Sequence, residues 1–165
     1  SSDLLALRLE ADRMRNLVLA PEEFAKEIKV VMEERRWRTD DRPRALVFEA
    51  LMATALTAHP YRRPIIGWMS DLESMTVDDV ARFYRSWYVP NNALLVVVGD
   101  VEPEEVFALA EKHFGSIAEQ ALPERKPQDE PEQRGMRRAT IKAPAELPYV
   151  VMAFRAPALR NPETD

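Results

Sequence analysis

Residues 26–36 read KEIKVVMEERR and place three carboxylates on one short run, Glu27, Glu33 and Glu34. A carboxylate can ligate a divalent cation, carry a proton or close an ion pair, and its surroundings decide which. The chain holds two histidines, His59 and His113, and no cysteine, so a thiolate metal site and a disulfide framework are both excluded. That absence does not assign a redox compartment. His113 stands late in a helical run just before Gly115, where an imidazole complements the negative end of the helix dipole.

The run around the three acids has helical spacing. At about 100° per residue, Phe24, Ile28, Val31 and Met32 share one face, and Glu22, Lys29, Glu33 and Arg36 fall opposite, toward water. Seven residues make nearly two turns, so Glu27 and Glu34 stack on one line, between Val31 on one flank and Val30 with Trp37 on the other. An ionised carboxylate flanked by apolar side chains is costly unless it is paired, hydrogen-bonded or on a metal. Arg35 falls on the apolar face and could pair with either acid, which leaves two readings open: a structural ion pair, or a ligand.

The elements on either side can be read from their punctuation. Asp3 is placed to cap a first helix along which Leu4, Leu7, Ala11, Met14 and Val18 recur, and Pro21 opens the second. The stretch TDDRP at 39–43 ends that helix, and Pro43 fits the first turn of a third, PRALVFEALMATALTA. This third helix is apolar almost all round, broken only by Arg44, Glu49 and threonines, and so predicts burial on several sides. Residues 58–75 read mostly as a long ordered loop. Thr76 and Asp79 predict a capping box for a helix through about Trp87, and Pro103 and Gly115 bracket another. ALLVVV at 93–98 reads as a buried strand, with RRATIKA and PYVVMAF as two later strand candidates. Residues 122–135, LPERKPQDEPEQRG, carry three prolines, many charges and no apolar period; they read as a solvated tether. The tryptophans Trp37, Trp68 and Trp87 and the tyrosines Tyr61, Tyr84 and Tyr88 are expected in the core, the alternative being the lining of a peptide channel.

With 165 residues, 46% hydrophobic and 31% charged, the chain can bury a core as one domain, or one domain and a piece of another. A net charge of −5 gives no basic surface for nucleic acid. No apolar run is long enough to span a bilayer, and the first residues lack the order of a signal peptide.

The segment EIKVVMEE, with Glu27 and Glu34 seven apart, resembles the second zinc-binding segment of the inverted-zincin metallopeptidases, the family of pitrilysin, insulin-degrading enzyme and mitochondrial processing peptidase. LALRLEADRM, HPYRRPIIGW, MTVDDVARFYRSWYVPNNALLVVVGDV and ALAEKHFG resemble other stretches of its bacterial members, so the likeness covers residues 4–115. Residues after 136 are similar to the start of the family's second, homologous domain. The resemblance implies Glu34 as the third zinc ligand and Glu27 as a supporting acid. The two histidines and the general base of the family's H-x-x-E-H motif are not in this sequence. Zinc is therefore the expected cofactor of the full-length protein and is not expected to be held by this chain alone. His59 is expected to be hydrogen-bonded inside its loop, the alternative being a lining residue of a peptide site.

The resulting expectation is an α+β fold, helices packed on one face of a mostly antiparallel sheet, forming an incomplete half of a processing-peptidase-like domain. Residues 1–121 would be the C-terminal portion of the first domain, 122–135 a linker, and 136–165 the truncated start of the second. The function implied is zinc-dependent endopeptidase; the alternative is a non-catalytic partner subunit of the same fold that helps enclose substrate. Retention of both Glu27 and Glu34 favours the peptidase. Expected partners are a peptide or unfolded protein, a second homologous domain or partner subunit, and a further copy of the chain held through the apolar end at 149–154. The compartment expected is the bacterial periplasm or envelope, with the cytoplasm as alternative.

Overall fold

Among the described residues, prolines open three of the six α-helices. In the computed structural model, which describes residues 2–156 with side chains from Leu5 onward, α1 spans Ser2–Asn16, α2 Pro21–Arg35, α3 Pro43–Ala55, α4 Met69–Ser74, α5 Val77–Trp87 and α6 Pro103–Phe114. Pro43 and Pro103 sit in the first turns of α3 and α6, where the missing N–H has no intrahelical partner to lose. The side chain of Asp3, the expected cap of α1, and the closing residues 157–165 lie outside the described residues.

The α+β expectation is corrected here: the described residues form helices and turns and contain no strand. ALLVVV leaves a short 3₁₀ turn, Pro90–Asn92, in extended conformation, Ala93 having φ −111° and ψ 144°. It remains exposed throughout, with Leu94 at 88% and Val98 at 93%. An extended apolar run becomes a strand only when a neighbouring segment takes its N–H and C=O groups. Among the described residues none does so, either here or for RRATIKA and PYVVMAF. The apolar pattern was legible; the pairing that makes a sheet is a non-local property.

The chain divides into two compact units. One comprises the residues up to Lys26 with Met75–Arg125; the other comprises Glu27–Ser74 with the residues from Lys126 on.

In the first unit α1 packs on α6, burying Leu7 and Ala11, and Val89 is the most enclosed side chain. Val18 lies beyond the end of α1 and is exposed. The Tyr84 hydroxyl donates to the Arg13 carbonyl at 2.8 Å, and Arg15 donates to Ser116 Oγ at 2.9 Å. The capping box forms as expected: Asp79 N donates to Thr76 Oγ1 at 3.3 Å, and Thr76 N donates to Asp79 Oδ2 at 3.0 Å. The Thr76 hydroxyl also donates to Asp79 Oδ2 at 2.6 Å, and this bond first, with the Thr76 backbone amide next, holds the Asp79 carboxyl below its usual range. Gly115 closes α6, though not through a left-handed turn, since its φ is −59°. The glycine is needed because a Cβ there would stand 2.5 Å from the Glu111 carbonyl oxygen.

In the second unit α3 packs against the turn that follows α2 and against a 3₁₀ turn at Pro60–Arg62. No residue of α3 is fully buried and Phe48 is exposed, though Leu46, Val47 and residues 49–55 are partly buried, so the burial expected on several sides of this helix is partial. The segment expected as loop contains α4, whose Leu72 is buried; Gly67 just before it takes φ +97°, a conformation that favours glycine. Of the aromatics expected in the core, Trp37, Tyr61 and Tyr88 are exposed.

Candidate functional site

The α2 helix carries the three acids. Phe24, Ile28, Val31 and Met32 are partly buried along one face, while Glu22, Lys29, Glu33 and Arg36 are exposed, as the helical spacing predicts. After Arg35 the register slips. Residues Arg36–Asp40 form a π turn, with Asp41 N donating to the Arg36 carbonyl at 2.9 Å in place of an α-helical bond. Trp37, in this turn, is exposed. Val30 is exposed as well, so the line through Glu27 and Glu34 has a wet flank.

The structure separates the three carboxylates. Glu27 is exposed and takes part in no ion pair among the described residues. Glu33 is exposed and pairs with Arg36 along the helix surface. Glu34 is half-buried, its side chain 39% exposed, and its Oε1 lies 3.0 Å from Arg38 Nε, an (i, i+4) ion pair that spans the start of the π turn.

Arg35, the expected partner of Glu27 or Glu34, is committed elsewhere. It is 5% exposed and donates through Nη1 to Glu49 Oε2 at 2.8 Å and through Nη2 to Glu49 Oε1 at 3.0 Å. Nη1 also reaches the Gly67 carbonyl at 2.8 Å, Asp40 lies 3.3 Å from Nη2, and the guanidinium sits 5.9 Å from the Trp68 ring centre. The hydrogen bonds to Glu49 raise the Arg35 pKa further, against the opposing effect of burial. The structural ion pair thus exists, and it uses neither of the two acids proposed for it. Glu49 was readable as one of the few charges on an otherwise apolar helix, the usual sign of a buried partner.

His59 accepts from the Tyr61 amide through Nδ1 at 3.2 Å and meets the Tyr61 ring edge-on at 4.8 Å, a role internal to its loop. His113 lies in the last turn of α6. Among the described residues no three histidine, aspartate or glutamate side chains come together as a group able to hold a metal. These residues do not by themselves fit a zinc ion, whose catalytic sites take three protein ligands and a water.

An open cleft of about 780 Å³ lies in the first unit, its lining including Phe83, Tyr84, Trp87, Tyr88, Leu94 and Phe114. Tyr84 stacks on Tyr88 at 4.5 Å, and Arg125 covers the Trp87 ring at 4.5 Å. Burial raises the pKa of the Tyr84 phenol. None of Glu27, Glu33 and Glu34 lines this cleft. No described helix is long and apolar enough to cross a membrane.

Comparison with known proteins gives a consistent assignment. Residues 74–165 match the family described as "Peptidase M16 inactive domain". The chain is 39% identical over 160 residues to the zinc protease PqqE of Helicobacter pylori, covering 94% of this chain and 36% of that protein. It is 30% identical over 112 residues to a probable mitochondrial-processing peptidase subunit beta of Schizosaccharomyces pombe, covering 68% of this chain and 24% of the relative. A crystal structure of a protease from Helicobacter pylori superposes with a TM-score of 0.76 at 40% identity, over 82% of this chain and 33% of that one. The chain spans a quarter to a third of the length of these relatives.

Proposed function

We propose, from the premise that this chain belongs to the peptidase M16 family, that it is part of a zinc-dependent endopeptidase and supplies one carboxylate, Glu34, to the metal. The zinc-protease relative that aligns over 160 residues supports the class of activity. The observation that carries the residue assignment is the division of labour on α2. Glu49, on α3, neutralises the buried Arg35, which leaves Glu34 half-buried and, among the described residues, paired with the exposed Arg38. An exposed (i, i+4) pair contributes roughly 0.3–0.5 kcal/mol, a contact that metal ligation easily replaces. Glu27, two turns earlier, is the supporting acid; Glu33, across the helix, takes no part.

In this reading two imidazoles and the general base come from residues outside these 165. Glu34 would hold the ion together with those imidazoles, and the chemistry a zinc ion would supply there is activation of a water at neutral pH. The substrate is a peptide or unfolded protein enclosed with the help of a second homologous domain or partner subunit. Residues 1–121 would belong to the first domain, 122–135 to the linker and 136–165 to the second.

A second reading has its own support. The family description matched over residues 74–165 is of an inactive domain, which suits a non-catalytic member that shapes the chamber. The two readings part on one measurement, zinc content and chelator-sensitive peptide cleavage by the native polypeptide that carries this sequence, with and without Glu34→Gln. Loss of both zinc and cleavage in the variant supports the peptidase. A native polypeptide that neither binds zinc nor cleaves supports the non-catalytic member, and unchanged zinc in the variant removes Glu34 as a ligand.

A further inference from the structure

The composition of residues 122–135 predicts a solvated tether, and the backbone there forms no helix. Yet Glu130 in its middle is well covered, its side chain 14% exposed. Its Oε1 accepts from the Thr57 amide at 2.6 Å, and its Oε2 accepts from the amides of Ala58 at 2.7 Å and His59 at 2.8 Å. Arg155 adds a bond to Oε1 at 3.2 Å. Three successive amides converging on one carboxylate form an anion-binding concavity, and the bonds are strengthened by the charge.

These amides are available because of how α3 ends. Leu56 leaves the helix with φ −110° and ψ 132°, so the next residues have no helical carbonyl to bond. On the other side of the same helix end, Arg137 Nη1 donates to the carbonyls of Thr54 at 3.0 Å and Ala55 at 3.2 Å. A cation on the last carbonyls also complements the negative end of the helix dipole. Glu130 and Arg137 thus satisfy orphan groups of opposite polarity at one helix terminus. The chain then passes the other end of α3, where the Arg44 guanidinium lies 5.2 Å from the Tyr149 ring centre, and Arg155 returns to Glu130.

We propose that the proline-rich linker is a docked strap rather than a free tether: the Glu130 carboxylate, seated in the amide cradle of Thr57–His59, is its lock, and Arg137 on the carbonyl end of α3 sets its register. Freeing Glu130 releases the strap and the His59 loop together while α3 itself stays formed. The strap is therefore a positioning device, fixing the segment after the linker along the helix whose Glu49 holds Arg35.

Hydrogen exchange and limited trypsin cleavage on the 165-residue chain test this, with Glu130→Gln and Arg137→Gln as variants. Glu130→Gln is expected to speed exchange at the amides of Thr57, Ala58 and His59, and cleavage after Arg134, by about tenfold or more, the range of a lost charge-assisted hydrogen bond. The Leu56 amide, which bonds to the Met52 carbonyl within α3, stays protected and shows that the helix has not unfolded. Arg137→Gln leaves the carboxylate seated and should raise cleavage after Arg134 while Thr57–His59 remain protected. Wild-type rates in Glu130→Gln would overturn the lock. Loss of the Thr57–His59 protection in Arg137→Gln to the same degree would overturn the division of roles, because the segment would then be held by packing as a whole.

Discussion

Arg35, at the last turn of α2, and Glu49, on α3, close a two-bond fork with both nitrogen–oxygen distances at or below 3.0 Å. The planar guanidinium matches the carboxylate, and its Nη1 also bonds the Gly67 carbonyl, so one buried cation ties α2 to α3 and to the loop before α4.

Removing one member of this pair strands the other. Glu49→Ala is expected to destabilise the chain by about 3–5 kcal/mol in urea unfolding, because Arg35 is left buried and unpaired. The double change Arg35→Met with Glu49→Leu should recover most of that loss, since apolar side chains of similar volume carry no desolvation cost. A Glu49→Ala variant as stable as the parent would show that water or Asp40 neutralises Arg35 unaided.

The acids of α2 should behave differently. Glu33→Gln and Glu34→Gln each remove an ion pair between α2 and the turn that follows it, and each is expected to change the stability of this chain by less than about 1 kcal/mol. If the proposed zinc-peptidase reading holds, the variants should separate in the native polypeptide: Glu34→Gln is expected to strip metal, Glu27→Gln to impair cleavage with a smaller metal loss, and Glu33→Gln to be silent. Zinc lost from Glu33→Gln and retained in Glu34→Gln would reverse the assignment. This chain alone should retain no stoichiometric zinc after dialysis, since one carboxylate does not make a site.

Acid should loosen the linker late. The Glu130 carboxyl is drawn from 4.5 down to about 2, first by the His59 amide, with Thr57, Ala58 and the Arg155 charge adding and burial opposing. A depressed carboxyl pKa stabilises fully above the unfolded value and loses that contribution as pH falls through the folded one. Protection at Thr57–His59, corrected for intrinsic exchange, should thus hold above 4.5 and decline toward 2. The difference between the parent and Glu130→Gln isolates this group. A difference that does not shrink on acidification would mean that the carboxylate charge is not what seats the strap.

What the sequence made legible was local. The capping box of Thr76 and Asp79, the proline starts of α3 and α6 and the wet and dry faces of α2 follow from neighbours within four residues, and all of them form. Contacts across longer separations were not legible. Arg35 and Glu49 are 14 apart, and Glu130 and His59 are 71 apart, so neither pair leaves a periodic trace. The π turn escaped for a related reason: one extra residue per turn changes no composition, yet it rotates everything after Arg35. The strands failed because 93–98 has the right residues and, among the described residues, no ladder partner.

Gly115 gives a prediction against the usual rule. A glycine with helical φ is ordinarily a site where alanine stabilises, by restricting the unfolded chain, by about 0.4–1 kcal/mol. Here φ is −59° and the backbone would accept alanine without strain, but its Cβ would meet the Glu111 carbonyl oxygen at 2.5 Å, and the Glu111 carboxylate crowds the same point at 2.6 Å. The side chain can swing away; the carbonyl cannot, because it accepts the Gly115 amide at 2.9 Å and that bond closes α6. Gly115→Ala should therefore destabilise by about 1–3 kcal/mol, as overpacking does, with faster exchange confined to the last turn of α6. A melting temperature that rises on substitution would show that the helix end relaxes freely, and that glycine stands there for the entropy of the turn rather than for the closeness of Glu111.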